Sequence, residues 1–216
     1  MKNIKVISSC AAVIAVGVVS FMAISWKKDV KYLPPVDYVK YVKDSKNGLT
    51  VVKHMDKVDY SAQYRSAEYM VASEQKDPYL KTDMFNKEKL KYADLEYYLL
   101  QISTANGNQD VLTINLQSEE EYTKRQGYYS FAFENDIVLV EGIDTLPCAI
   151  FNYVPNYGLS PHIDFLLAFT KNKNESDGKL KFDRNFIIND QVMGYGTVKL
   201  TLKKEDLNNI PSLTTY

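Results

Sequence analysis

The chain is poor in the residues that most often carry chemistry. Its 216 residues include two cysteines and two histidines, and only three of its 26 basic side chains are arginine. Cys10 and Cys148 lie far apart, which excludes a disulfide scaffold and a cysteine-rich zinc site. With His54 and His162 as the only imidazoles, few histidine-based general bases are available. Charge of one sign is also lacking: 26 basic against 27 acidic residues leaves no electrostatic footprint for nucleic acid. No fixed-period repeat or low-complexity tract occurs. A composition of 45% hydrophobic and 25% charged residues excludes wholesale disorder and suits one folded domain with an anchor.

The anchor is the one long apolar run. Val6 to Trp26 carries no charge, with Lys2 and Lys5 before it and Lys27, Lys28 and Lys31 after it. As a helix it would span roughly 30 Å, the thickness of a bilayer core, with Trp26 at the interface. We read residues 1–26 as a signal-anchor transmembrane helix, residues 27–34 as a linker, and residues 35–216 as a single β-rich extracytoplasmic domain. A cleaved signal peptide is the second reading, because Val18-Val19-Ser20 and Ala23-Ile24-Ser25 offer small residues to a peptidase. Ile7-Ser8-Ser9-Cys10 has the residue types of a lipidation site, but there the apolar run follows the cysteine instead of preceding it. The lysines flanking the run are nearly balanced. The domain is placed outside the cytoplasm because short N-terminal anchors usually export the domain attached behind them.

The body changes period along its length. Pro35 opens a helix carrying Val36, Val39 and Val42 with Tyr38 and Tyr41, and Asn47-Gly48 stops it. Thr50–Met55 and Val58–Tyr64 read as strands, Ser66 caps a helix over Ala67–Gln75, and Lys87–Tyr92 suits one helical turn. Leu95–Thr104 and Val111–Leu116 bracket the turn Asn106-Gly107-Asn108. Tyr128–Glu134 and Ile137–Glu141 read as a hairpin around Asn135-Asp136, pairing Phe133 with Val138 and Phe131 with Val140. Cys148–Val154 and Ile163–Thr170 are apolar on both faces and are expected at the centre of a sheet. Thr197–Lys203 alternates strictly, with Val198, Leu200 and Leu202 inward. The sum is an α+β domain, mainly antiparallel: a sandwich or open barrel of about nine or ten strands with two or three short helices.

Pro35-Val36-Asp37-Tyr38-Val39-Lys40-Tyr41-Val42, running to Asn47-Gly48-Leu49, resembles the start of small lipoprotein-like cell-envelope proteins of Bacteroidota. The close, Gly194-Tyr195-Gly196-Thr197-Val198-Lys199 through Asn209-Ile210-Pro211, resembles theirs as well. The likeness covers most of residues 32–213, although this chain has no cysteine at the end of its apolar run. It implies an envelope location and supplies no activity, because the shared residues are turn and packing residues.

The sequence offers no spacing that assembles a catalytic centre. Ser160-Pro161-His162-Ile163-Asp164 has triad residue types as loop neighbours, with nothing to aim Ser160 at His162. Cys148 and His162 would stand at opposite ends of their hairpin, roughly 24 Å apart. Asn172 to Gly178 has two acidic groups and a glycine one place late for a calcium loop, and Asn174-Glu175-Ser176 is formally a glycosylation sequon. Glu119-Glu120-Glu121 suits the solvated first turn of a helix. Gly194-Tyr195-Gly196 is a turn feeding a strand. No cofactor and no metal site is expected.

What the chain does have is 17 tyrosines, flat apolar rings with polar tips that suit sugars and protein surfaces. Tyr98, Tyr128, Tyr153, Tyr157 and Tyr195 are the candidate binding residues. The expected function is a membrane-anchored, non-catalytic cell-envelope protein that binds a protein partner or a glycan. It would meet the membrane through residues 6–26 and would not bind nucleic acid. The alternatives are a lipocalin-like small-ligand carrier and a hydrolase using carboxylates such as Glu134, Asp144 or Asp164. Export predicts that a C-terminal tag in intact cells is digested by external protease, at once or after the outer membrane is opened. Protection until the inner membrane is lysed would contradict it.

Overall fold

A computed structural model describes residues 32–75, 79–155, 159–171 and 179–216. The apolar run 6–26 and most of the expected linker lie outside the described residues. Among the described residues, no helix is long and apolar enough to cross a membrane.

Part of the segment read as a linker takes up regular structure. Tyr32–Leu33 forms β1, which pairs in parallel with β11, Ser212–Leu213, and joins the two ends of the described chain. α1, Pro35–Lys43, has proline at its first position, where the missing N–H costs nothing, and buries Tyr38 and Val42. Gly48 turns the chain with φ of 73° into β2, Thr50–His54, which pairs with β3, Val58–Arg65. The Ser66 hydroxyl accepts from the Tyr69 amide at 3.0 Å, capping α2, Ala67–Glu74. α3 spans Thr82–Lys89, followed by a 3-10 turn over Leu90–Tyr92, longer than the single turn read from the sequence.

β4, Leu95–Thr104, is the spine of the larger sheet. With β7, Ile150–Val154, and β8, His162–Thr170, the order is β2-β3-β4-β8-β7, antiparallel throughout. The smaller sheet contains β5, Ile137–Glu141; β6, Asp144–Pro147; β9, Arg184–Ile188; and β10, Val198–Leu202, ordered β10-β9-β5-β6. α4, Glu119–Phe131, and α5, Lys204–Asn208, complete the described elements. The architecture is therefore α+β with mostly antiparallel sheets. The two large sheets remain separate: β10 passes beside β2 without a ladder between them, so no barrel closes.

Three expectations are corrected. Residues 128–134 are not a strand, because Ser118 caps α4 through the Glu121 amide at 3.2 Å and the helix runs to Phe131. The inward pair is Tyr129 and Phe133, four apart and fully buried, while Phe131 is 80% exposed; helical spacing won over alternation. Val111–Leu116 forms no strand either. Asp110 caps a 3-10 turn over Val111–Thr113, and Arg125 on α4 donates to the carbonyls of Leu112 and Ile114 at 3.0 and 2.6 Å. β7 lies at an edge, not the centre: Ile150 and Val154 face solvent, while Phe151 and Tyr153 pack on the core.

The inner faces of the two sheets meet through aromatic rings. Tyr98 lies edge-on to Phe186 at 4.8 Å and to Phe169 at 5.9 Å, and Phe169 contacts Phe186 at 5.5 Å. Beside these rings lies a buried ion cluster. Arg184 on β9 is fully buried and reaches from the smaller sheet to Glu96 on β4 of the larger one, with Nη2 to Oε1 at 2.7 Å and Nε to Oε2 at 2.9 Å. Its Nη1 lies 3.0 Å from Glu141, the register partner on β5. The Tyr98 hydroxyl donates to Glu96 Oε2 at 2.6 Å.

Removing the cation leaves two buried carboxylates uncompensated. Arg184→Met should therefore destabilise the fold by about 3–5 kcal/mol in urea unfolding. A loss below about 1 kcal/mol, the range of exposed pairs, would contradict a buried cluster.

Candidate functional site

A cleft of about 600 Å³ opens where four parts of the chain converge. α1 contributes Tyr38; the end of β3 and the start of α2 contribute Tyr64, Ser66 and Glu68; β4 contributes Glu96. Lys171 follows β8, and Lys179 with the C-terminal segment from Leu207 to Ser212 forms the far wall. Through Glu96 the cleft reaches the buried ion cluster.

Each polar group has a fixed role. The Tyr38 hydroxyl lies 2.8 Å from the Ser66 hydroxyl that caps α2, locking α1 to α2. Glu96 spends both oxygens on Arg184, and on Tyr98, beneath the floor. Glu68 pairs with Lys89 of α3. Burial pushes its carboxyl up, but the hydrogen bond and charge of Lys89 outweigh this, so Glu68 stays below its usual value. Lys171 donates to the Ala93 carbonyl at 2.6 Å. Asn208 clamps the backbone of Leu180, accepting from its N–H at 2.8 Å and donating to its carbonyl at 3.0 Å.

Tyr64 stands apart. Its ring lies edge-on to Tyr98 at 5.4 Å, and its hydroxyl has no hydrogen-bond partner among the described residues. Burial, then the charges of Glu96 and Glu68, push this phenol well above its ordinary value. It remains a donor at neutral pH, facing acceptors whose charge is already compensated.

The tyrosines singled out from the sequence are scattered. Tyr98 is fully buried, so it presents no ring to a ligand and instead orients Glu96. Tyr128, on α4, donates to Asp136 at 2.8 Å and accepts from the Gln191 amide at 3.1 Å. Tyr195 accepts from the Lys57 amide at 3.0 Å. Tyr153 packs against Phe165 with ring centres 5.5 Å apart. Tyr157 lies outside the described residues, as does the 172–178 loop. Tyr128 and Tyr195 lie at one corner, both near the Tyr60 hydroxyl, while Tyr98 and Tyr153 sit on strands of the larger sheet.

The carboxylates considered for hydrolysis are also dispersed. Glu134 follows α4, Asp144 lies on β6 in the smaller sheet, and Asp164 on β8 accepts from Gln101 at 2.9 Å. Ser160 donates to the His162 backbone carbonyl at 2.8 Å. Burial pushes the Cys148 thiol up to about 11, away from reactive thiolate. Among the described residues, no group of three or more His, Cys, Asp or Glu side chains could hold a metal ion.

Sequence reasoning missed Tyr64, Glu68, Glu96 and Arg184. One signal was available: Glu96 occupies an inward position of a strand that is otherwise apolar on that face through Tyr98, Leu100 and Ile102.

No protein-family model matches the chain, and no curated protein does. Among solved structures, a novel protein of unknown function from Burkholderia pseudomallei K96243 is similar over 83% of this chain and 94% of that one. The identity is 11% and the TM-score 0.39.

The two stacked tyrosines should differ sharply on losing their hydroxyls. Tyr98→Phe removes a bond to a buried carboxylate and should cost about 1.5–3 kcal/mol in urea unfolding. Tyr64→Phe should stay within about 0.5 kcal/mol. Equal losses would place the Tyr64 hydroxyl in the structural network instead of at a site.

Proposed function

We propose that the protein is a membrane-anchored, non-catalytic envelope protein whose domain binds a glycan in the cleft beside Tyr64. The observation that carries this reading is the Tyr64 hydroxyl, a free donor set among Glu68, Glu96 and Tyr38 in a recess large enough for a sugar residue. A sugar hydroxyl both donates and accepts, and this recess offers the two functions side by side. Glu96 is compensated by Arg184 and Glu68 by Lys89, so these two carboxylates ask for hydrogen bonds rather than a counter-charge. The same pairing speaks against catalysis. Glu68 is held ionised, and Glu96 spends its oxygens on Arg184 and Tyr98, which leaves no acid and base set for proton transfer.

A protein partner is the second reading, favoured by the edge strand β7, where Ile150 and Val154 are exposed along an uncharged strand. The apolar run 6–26 supports anchoring, and the envelope resemblance supports an extracytoplasmic domain.

Co-sedimentation with insoluble polysaccharides, including peptidoglycan sacculi, chitin and cellulose, tests the glycan reading. The chain should be retained on at least one, and Tyr64→Phe should weaken retention about two- to tenfold, the worth of one hydrogen bond. Retention unchanged by Tyr64→Phe but lost when a charge is placed at Ile150 would favour the sheet edge.

A further inference from the structure

The cleft and the root of the chain's N-terminal segment are neighbours. Tyr32 of β1 is the register partner of Ser212 on β11, and Ser212 lines the cleft. Six residues further along, Tyr38 forms another part of its wall. The chain therefore leaves the domain toward residue 31 at the lip of the cleft. Between Trp26, the end of the apolar run, and Tyr32 there are five residues, and the two ends can be at most about 22 Å apart even with the chain fully extended. The opposite end of the spine strand is much farther away. β4 runs from Leu95 at the cleft to Thr104, about 30 Å of extended chain, and the Asn106–Asn108 turn lies beyond it.

We propose that the cleft opens toward the bilayer and that its glycan is the saccharide or polyol headgroup of a membrane lipid, a refinement that rests on the anchored, glycan-binding reading above. A tether this short keeps the mouth within about half a domain's width of the lipid surface. In polyol phospholipids such as phosphatidylinositol, the headgroup is joined through an anionic phosphate. The ammonium groups of Lys171 and exposed Lys179 on the cleft wall match that phosphate, while Tyr64 and Glu68, which line the same cleft, address hydroxyls. Cations and hydrogen-bonding groups thus share one recess, as a phosphorylated polyol requires.

The test uses the full chain with Cys10→Ser and Cys148→Ser, carrying one fluorescent label at Asn209→Cys, exposed between cleft-lining Asn208 and Ile210, or at Asn108→Cys. It is reconstituted in phosphatidylcholine vesicles with or without phosphatidylinositol, with a headgroup spin-labelled lipid as quencher. Emission from Asn209→Cys should be largely quenched and that from Asn108→Cys spared. Phosphatidylinositol should shift the Asn209→Cys emission to the blue, and Tyr64→Phe should diminish that shift. Equal or reversed quenching overturns the inference, and if polysaccharide retention persists the glycan reading stands without it. If free inositol phosphate shifts the emission as far as the lipid does, the lipid assignment falls. A chain that neither floats with vesicles nor is retained on polysaccharide overturns both.

Discussion

Arg184 reaches from one sheet to bind a carboxylate of the other, and much of the domain's arrangement follows from keeping that cation satisfied. A buried guanidinium is costly to desolvate and persists only with close, well-directed partners. Here Glu96 takes it in a two-point grip, Glu141 meets it from the adjacent strand, and Tyr98 donates to Glu96 from within the aromatic layer. These bonds fix the relative position of β4 and β9, so Phe186 and Phe169 meet Tyr98 in one register. The same contacts decide the site. Glu96 is at once a member of the cluster and part of the cleft wall, and Tyr64 stands on the ring that orients it.

A second polar node works at a different corner. Asp190 accepts from the Tyr60 and Tyr129 hydroxyls at 2.9 Å each, and from the amides of Val192 and Met193 at 2.9 and 3.0 Å. It ties β3 and α4 to the turn before β10. Burial pushes the Asp190 carboxyl up, and its four hydrogen bonds pull in the other direction. Together the two nodes explain much of the tyrosine richness. Tyr38, Tyr60, Tyr128 and Tyr129 bury ring area while using the hydroxyl to join elements far apart in sequence, and Tyr98 uses its hydroxyl to brace Glu96 on its own strand. Tyr64 departs from that use, and so it marks a site where the others mark seams.

The sequence was legible where local chemistry decides structure. Pro35 and Ser66 start their helices as expected, β2 and β3 pair, β7 and β8 pair, and Val198, Leu200 and Leu202 face inward. It misled where two periods competed. Residues 128–134 contain both an alternating and a helical apolar pattern, and the cap at Ser118, ten residues upstream, settled the choice. β9 was hidden because its first inward residue is Arg184, which looks like a surface residue until Glu96 and Glu141 are brought to it. The cleft was illegible for the same reason. Its walls come from residues near 38, 64, 96, 171 and 208, and only the β1–β11 closure and the sheet order bring them together.

The central claim is that ligand recognition lies at the cleft and not on the scattered outer tyrosines or the β7 edge. Amide hydrogen exchange of the full chain in phosphatidylcholine vesicles, with and without phosphatidylinositol, measures this directly. Added protection over residues 64–68 and 207–212, with residues 150–154 and 195 unchanged, is the predicted result. Protection confined to residues 150–154 or to the turn around Tyr195 would contradict it.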